Sequence, residues 1–268
     1  MLCTSLGPDV PEVPQDSFES LYEANLSTPD PGQQTAKGVF AVDVSEVYSP
    51  PRVTRSARQS GLMAGSALDL TEGWDFRKRS DRREARRLIS VEDPQLLILS
   101  PPCTVWSRLR NLSDRKRDPN VVAKEKREAW VHLNFSIELA AMQHRRGRGF
   151  LFEHPLGADS WKEQDVLALS KLPGVYKLHV DMCMFGLSID NTLGPGGKQT
   201  GLLSKKPTGL LTNIPDLAFH LDKKCNKQHE HGHLVGGTAV HAQRYTPQFV
   251  HAIVKGLKAH LRRRGLVH

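Results

Sequence analysis

Long apolar runs are absent from this 268-residue chain. No stretch approaches the roughly 20 apolar residues that cross a bilayer as a helix, so no membrane association is expected. Cysteine is scarce. Four in the whole sequence are too few for a disulfide scaffold, which predicts a reducing compartment and thiols free for chemistry or metal. The N-terminus lacks a basic segment leading into an apolar stretch, so no secretory signal is expected and an intracellular location is, nuclear if the source is eukaryotic. There is no internal repeat. With 25% charged and 38% hydrophobic residues, the composition is that of a folded chain rather than a disordered one. At roughly 100–200 residues per domain, it holds one domain with appendages, large enough to bury its own core.

Basic residues are few at the start and abundant afterwards. Residues 1–37 carry six acids (Asp9, Glu12, Asp16, Glu19, Glu23, Asp30), a single base (Lys37) and five prolines. The whole chain has a net charge of +8, so the remainder stands at +13. That asymmetry points to a polyanionic partner, with a solvated basic surface as the alternative. Residues 1–37 read as a disordered, acidic, Pro-rich tail, with a short amphipathic helix possible near Phe18–Leu26.

From Gly38 onward, short Val- and Leu-rich runs alternate with longer amphipathic ones. Strands are expected at Gly38–Tyr48, Ser66–Leu70, Gln95–Ser100, Gly149–Phe152 and Val175–Asp181. Helices are expected at Arg52–Ser60, Arg77–Ser90, Val121–His144, Glu163–Leu172 and Pro247–Arg262. The long helix shows an apolar stripe of Trp130, Leu133, Ile137 and Ala141. Further strands are expected near Gly209–Asn213 and His231–Val235. This alternation predicts an α/β, Rossmann-like fold with a mostly parallel sheet. The expected organisation is a catalytic-type domain over residues 38–186, a small substrate-facing or zinc-binding subregion over 187–243, and a closing helix with a basic tail over 244–268.

Such sheets bind ligands beyond the carboxyl ends of their strands. Two ends stand out: Ser100-Pro101-Pro102-Cys103-Thr104-Val105-Trp106-Ser107 and Phe152-Glu153-His154-Pro155. A thiol delivered by a buried strand and a rigid Pro-Pro turn is held in place, as a nucleophile must be. Arg108 and Arg110 just downstream are expected to favour its thiolate. Glu153 can exchange a proton or a hydrogen bond with a ring nitrogen. The alternative for Cys103 is a small core residue. A thiol enzyme pairing Cys103 with His154 is a further alternative.

In these motifs the chain resembles the cytosine-5 methyltransferases, whose signature is a strand ending in Pro-Pro-Cys followed by a polar loop with Ser. Pro101-Pro102-Cys103 and Ser107 fit that spacing, and Glu153 stands where the family has the Glu of Glu-Asn-Val. The phrases EVYSPPR, LTEGWDF, LFEHP and CMFGL also resemble diverged methyltransferase-like domains of retroelement-type polyproteins. The resemblance spans roughly residues 38–260 and implies a Rossmann-like methyltransferase fold. It implies that Cys103 adds to C6 of a cytosine in nucleic acid, for which DNA is the favoured partner and RNA the open alternative. Glu153 would hold the base, and S-adenosylmethionine would supply the methyl group. Because a paired base cannot meet a thiol in this way, the cytosine must be flipped out or unpaired. For the cofactor, the resemblance implies Glu46 and Tyr48 in the first turn, Asp69 at the ribose, Asp75 at the adenine and Pro101. The first turn carries Pro50-Pro51 and no glycine, and only five residues separate Asp69 from Asp75, too few for an intervening helix. The competing reading is a methyltransferase-like nucleic-acid-binding domain of a mobile-element polyprotein that has lost cofactor use.

Two basic clusters are candidate phosphate contacts. Arg77–Arg87 holds seven bases and two acids, and Arg108, Arg110, Arg115, Lys116 and Arg117 follow the Cys103 loop. Ser107, Arg108, Arg110 and Lys206 are the expected nucleic-acid contacts. The densest ligand cluster is Cys225-Asn226-Lys227-Gln228-His229-Glu230-His231-Gly232-His233. Cys225 with two of these histidines, His229 and His231, plus Cys183 from elsewhere, could make a tetrahedral zinc site. Histidines in a basic surface loop are the alternative.

Overall fold

The computed structural model describes residues 41–107, 110, 113–188, 202–232 and 243–266. The acidic tail 1–37, Arg108 and His233 lie outside the described residues.

Six strands form one sheet: β1 (Val44–Val47), β2 (Ala64–Leu68), β3 (Leu96–Leu99), β4 (Gly149–Pro155), β5 (Tyr176–Asp181) and β6 (Pro207–Thr212). Their order is β2-β1-β3-β4-β6-β5. β1 pairs in parallel with β2 and β3, and β3 with β4. β6 runs antiparallel to both β4 and β5. This is a Rossmann-like α/β fold with a mostly parallel sheet. Pro207–Thr212 lies within the segment 187–243 yet enters the main sheet.

Among the described residues six α-helices cover the sheet: α1 (Val53–Gln59), α2 (Arg79–Glu92), α3 (Pro119–Arg145), α4 (Gln164–Ser170), α5 (Pro215–Leu221) and α6 (Pro247–Arg263). α3, α5 and α6 open with proline in the first turn, where its missing N–H and fixed φ cost nothing. Thr246 caps α6 by accepting the Phe249 N–H at 3.1 Å, and its hydroxyl donates to the Phe185 carbonyl at 2.7 Å.

Alternation along the strands splits the core between the two faces. Val44, Leu96, Ile98, Leu151 and Leu210 pack with α1, α5 and α6. The intervening Leu97, Leu99, Phe150 and Phe152 are also fully buried, so both faces are covered. Of the stripe expected on α3, Leu133, Ile137 and Ala141 are buried. Trp130 instead stays at the surface, its indole N–H donating to Glu163 at 3.1 Å.

Two expectations need correction. The second strand stops at Leu68, because Asp69 caps the short 3-10 turn Leu70–Glu72. At His231 there is only a single bridge to Leu203; residues 233–235 lie outside the described set.

Candidate functional site

The strand order reverses between β1 and β3, which opens a crevice at their carboxyl ends. Glu46, Ser100 and Glu153 continue the strand alternation that buries Val44, Ile98 and Leu151, so they share the α1/α6 face. Tyr245, one residue before the Thr246 cap, closes that face. Its hydroxyl lies 2.5 Å from the Ser100 Oγ, and its ring packs on Phe249. Burial first, then the Glu153 charge, pushes the Tyr245 phenol well above its ordinary value.

Cys103 follows the Pro101-Pro102 turn and opens the 3-10 turn Thr104–Trp106. Its thiol is pushed above its ordinary value by burial and by the nearby Glu153, with Lys206 acting in the opposite direction. The expected thiolate-favouring role of the downstream arginines is not seen. Arg108 lies outside the described residues, and Arg110 is bound to Asp114 at 2.9 Å and to Glu125. Glu153 is itself pushed up by burial and pulled down by Lys206. Cys103, Glu153 and Lys206 thus form one electrostatic cluster. Lys206 reaches it because β6 runs antiparallel to β4, so the start of β6 lies beside the end of β4. The Lys206 backbone takes a left-handed φ of 28°.

His154 does not pair with Cys103. It points to the opposite face from Glu153, is fully buried, and its Nδ1 lies 2.6 Å from the Ser160 Oγ. Burial lowers it to about 4, partly offset by the nearby Pro102 and Pro101 carbonyls. A neutral imidazole wedged under the Pro-Pro turn is a support for the Cys103 loop. Opposite it in register, Gly209 has no room for a side chain: a Cβ there would stand 2.5 Å from the Trp161 ring. Pro101 is buried in the same turn.

The first turn is built differently from a ligand-binding glycine loop. Tyr48 adopts a left-handed φ of 63°, a conformation that costs a non-glycine residue roughly 1–2 kcal/mol. This turns its ring onto the α3 face, edge-on to Phe76, His132 and Phe135, with its hydroxyl 3.1 Å from the His132 Nδ1. Glu46 is fully buried and spent on its own loop. Its Oε1 accepts from the Arg52 N–H (3.1 Å), the Thr54 N–H (2.7 Å) and the Thr54 hydroxyl (2.8 Å). Its Oε2 accepts from the Ser49 hydroxyl at 2.7 Å. Asp69 accepts from the Thr71 N–H and hydroxyl through one oxygen, as a turn cap. Asp75 forms a two-pronged pair with Arg77, whose guanidinium holds the carboxyl at about 2. The five residues inferred for S-adenosylmethionine are therefore engaged by the protein itself or buried in a turn. As a set they do not fit that cofactor; Asp69 alone keeps the strand-end position a ribose contact needs. A cleft of 590 Å³ runs along the free edge of β2, lined by Pro51, Thr54, Arg58, Leu68, Trp74 and Glu92 among others. It does not reach Cys103.

Among the described residues, several bases of the two clusters are paired within the protein. Arg110 and Arg117 share Asp114 and Glu125. This corrects Arg110 as an open phosphate contact. On α2, Arg86 pairs with Glu138 and Arg87 with Glu84. Ser107 ends the 3-10 turn and accepts the Arg110 N–H through its carbonyl at 3.0 Å. Arg52 and Arg244 were not singled out from sequence. They lie close enough that Arg244 lowers Arg52, after burial, while Glu46, Tyr245 and Asp69 raise it. The sequence signal that could have found them is Arg244-Tyr245 immediately before a Thr-Pro helix start.

Cys183, Cys225, His229 and His231 come together: one ligand atom from each lies within 4.8 Å of the others. Burial and Cys225 push the Cys183 thiol up to about 12.

No protein-family profile matches the chain, and no curated protein does. Among solved structures, it is similar to the methyltransferase EhMeth of Entamoeba histolytica, with 10% identity and a TM-score of 0.32. The match covers 69% of this chain and 61% of that one, so the chain spans less than two thirds of that protein's length.

Proposed function

We propose that the domain captures a pyrimidine base of nucleic acid, DNA rather than RNA, between Cys103 and Glu153, as a diverged cytosine-5 methyltransferase. The observation that carries this reading is that the Cys103 turn after β3, Glu153 on the adjacent β4 and Lys206 at the start of β6 converge at one end of the sheet. Burial keeps the Glu153 carboxyl protonated to a higher pH than usual, which suits it to donate to N3 of cytosine. Cys103 loses its proton to solvent and its sulfur adds to C6. The C5–C6 electron pair moves to C5 as N3 takes the Glu153 proton. A flipped or unpaired base is required. Lys206, Arg52 and Arg244 supply positive charge for the phosphates around that base.

S-adenosylmethionine is the methyl donor that the motif resemblance implies. The state of Glu46, Tyr48, Asp69 and Asp75 described above favours a second reading, in which base capture persists and cofactor use is lost. Two measurements separate them. An adduct activated at C5 exchanges its C5 hydrogen with water, so DNA carrying cytosine tritiated at C5 should release label with the wild type and not with Cys103→Ser. No release by the wild type would remove the covalent reading altogether. Calorimetry with S-adenosylmethionine then decides the methyl donor: binding supports the methyltransferase, and release without binding supports the second reading.

A further inference from the structure

We propose that Cys183, Cys225, His229 and His231 bind one zinc ion in a structural, four-coordinate site. At Zn–S of about 2.3 Å and Zn–N of about 2.0–2.1 Å, tetrahedral geometry sets sulfur and nitrogen about 3.6 Å apart. The Cys225 Sγ lies 3.6 Å from the His229 Nε2 and 3.4 Å from the His231 Nε2. The two imidazoles stand nearly perpendicular, with centroids 4.7 Å apart, and neither stacks on the other. Cys183 completes the set from the turn Met182–Phe185 that follows β5. The ligands span 4.8 Å at most, so the widest pair closes by roughly 1 Å on metal binding.

Three further features fit a metal. The Lys227 N–H points at the Cys225 Sγ at 3.3 Å, and Lys227 takes a left-handed φ of 60° to do so. A main-chain donor to sulfur stabilises a thiolate ligand. The Asp181 Oδ2 accepts the Cys225 N–H at 2.8 Å and fixes the ligand's backbone. Both histidines turn the same ring nitrogen toward one thiol, an arrangement that a Cys183–Cys225 disulfide would leave without purpose.

The site would tie three chain segments together. His231 bridges to Leu203, the Gly232 N–H donates to the Leu203 carbonyl at 2.9 Å, and the Met182 N–H donates to the Lys205 carbonyl at 2.8 Å. The metal therefore anchors the strand that delivers Lys206. Its binding does not depend on the proposed activity.

The test is metal analysis of the full chain, purified reduced from zinc-supplemented culture and dialysed. About one zinc per chain is expected, falling well below half in Cys225→Ser and in His229→Ala. Cobalt in its place should give the d–d bands of a tetrahedral ion and a thiolate charge-transfer band. Stripping the wild type with a strong chelator should lower Tm by roughly 5–10 °C and speed amide exchange at Leu203–Lys205. Zinc far below one equivalent in folded wild type would overturn the proposal. So would a metal-free chain lighter by two hydrogens, with Cys183 and Cys225 joined.

Discussion

Replacing Glu46 by alanine removes the one acceptor shared by four donors of the first turn. Two of the four can find relief. Ser49 already contacts the Pro50 carbonyl at 3.2 Å, and the Arg52 N–H lies in a partly exposed stretch. The Thr54 N–H and hydroxyl cannot, because Thr54 is fully buried. Two stranded donors at about 1–3 kcal/mol each, plus the lost packing, give a destabilisation of about 3–5 kcal/mol. Glu46→Gln keeps the oxygen that serves Arg52 and Thr54, and its amide can donate to Ser49. It loses only the charge assistance, about 1–2 kcal/mol. With a urea m-value of about 2 kcal/mol/M, the midpoint should fall by about 2 M for alanine and by less than about 1 M for glutamine. Equilibrium urea titration followed by circular dichroism reads both. Equal losses in the two variants, or a loss under about 1 kcal/mol in alanine, would refute the claim that this carboxylate serves its own loop. A residue reserved for a ligand would give the opposite pattern, stability retained and binding lost.

Two other outcomes follow from the buried groups around Cys103. His154 titrates at about 4 in the folded protein against 6.5 for an unperturbed histidine. As pH falls through 6.5 the unfolded chain takes up this proton first. The associated stability is full near pH 7 and declines by about 3 kcal/mol as pH approaches 4. His154→Gln should flatten that part of the slope in urea midpoints measured between pH 7 and pH 4; parallel slopes would contradict the assignment. At Cys103, alkylation by iodoacetamide, followed by peptide mapping, should be slow at neutral pH. It should slow further in Lys206→Met, which removes a charge that favours the thiolate. Rates that move the other way would break the cluster.

What the sequence disclosed depended on how local the cause was. Leu96–Leu99 is apolar at every position because both faces of that strand are covered, and a continuous apolar run announces this. The placement of Cys103 and Glu153 was readable because each follows or ends such a strand. The gathering of Cys183, Cys225, His229 and His231 was readable from residue type, although 42 positions separate its first two members. Side-chain partnerships were not readable. Arg110 finds Glu125 15 positions away, and Tyr245 finds Ser100 145 positions away, through packing that no periodicity encodes. The first turn misled because Tyr48 takes a left-handed conformation that usually marks glycine, and tertiary packing outweighs that cost. Helix α5, at 7 residues, is too short to show a clear amphipathic period.

The antiparallel bridge between Ser188 and Leu203, with the Ser204 N–H donating to the Leu187 carbonyl at 2.7 Å, ties two points of the chain together beside the segment that leads into Lys206. A stretch inserted between them has its ends already joined, and each doubling of such a loop costs only ~0.6 kcal/mol. Length at this position is therefore nearly free to vary without disturbing the sheet.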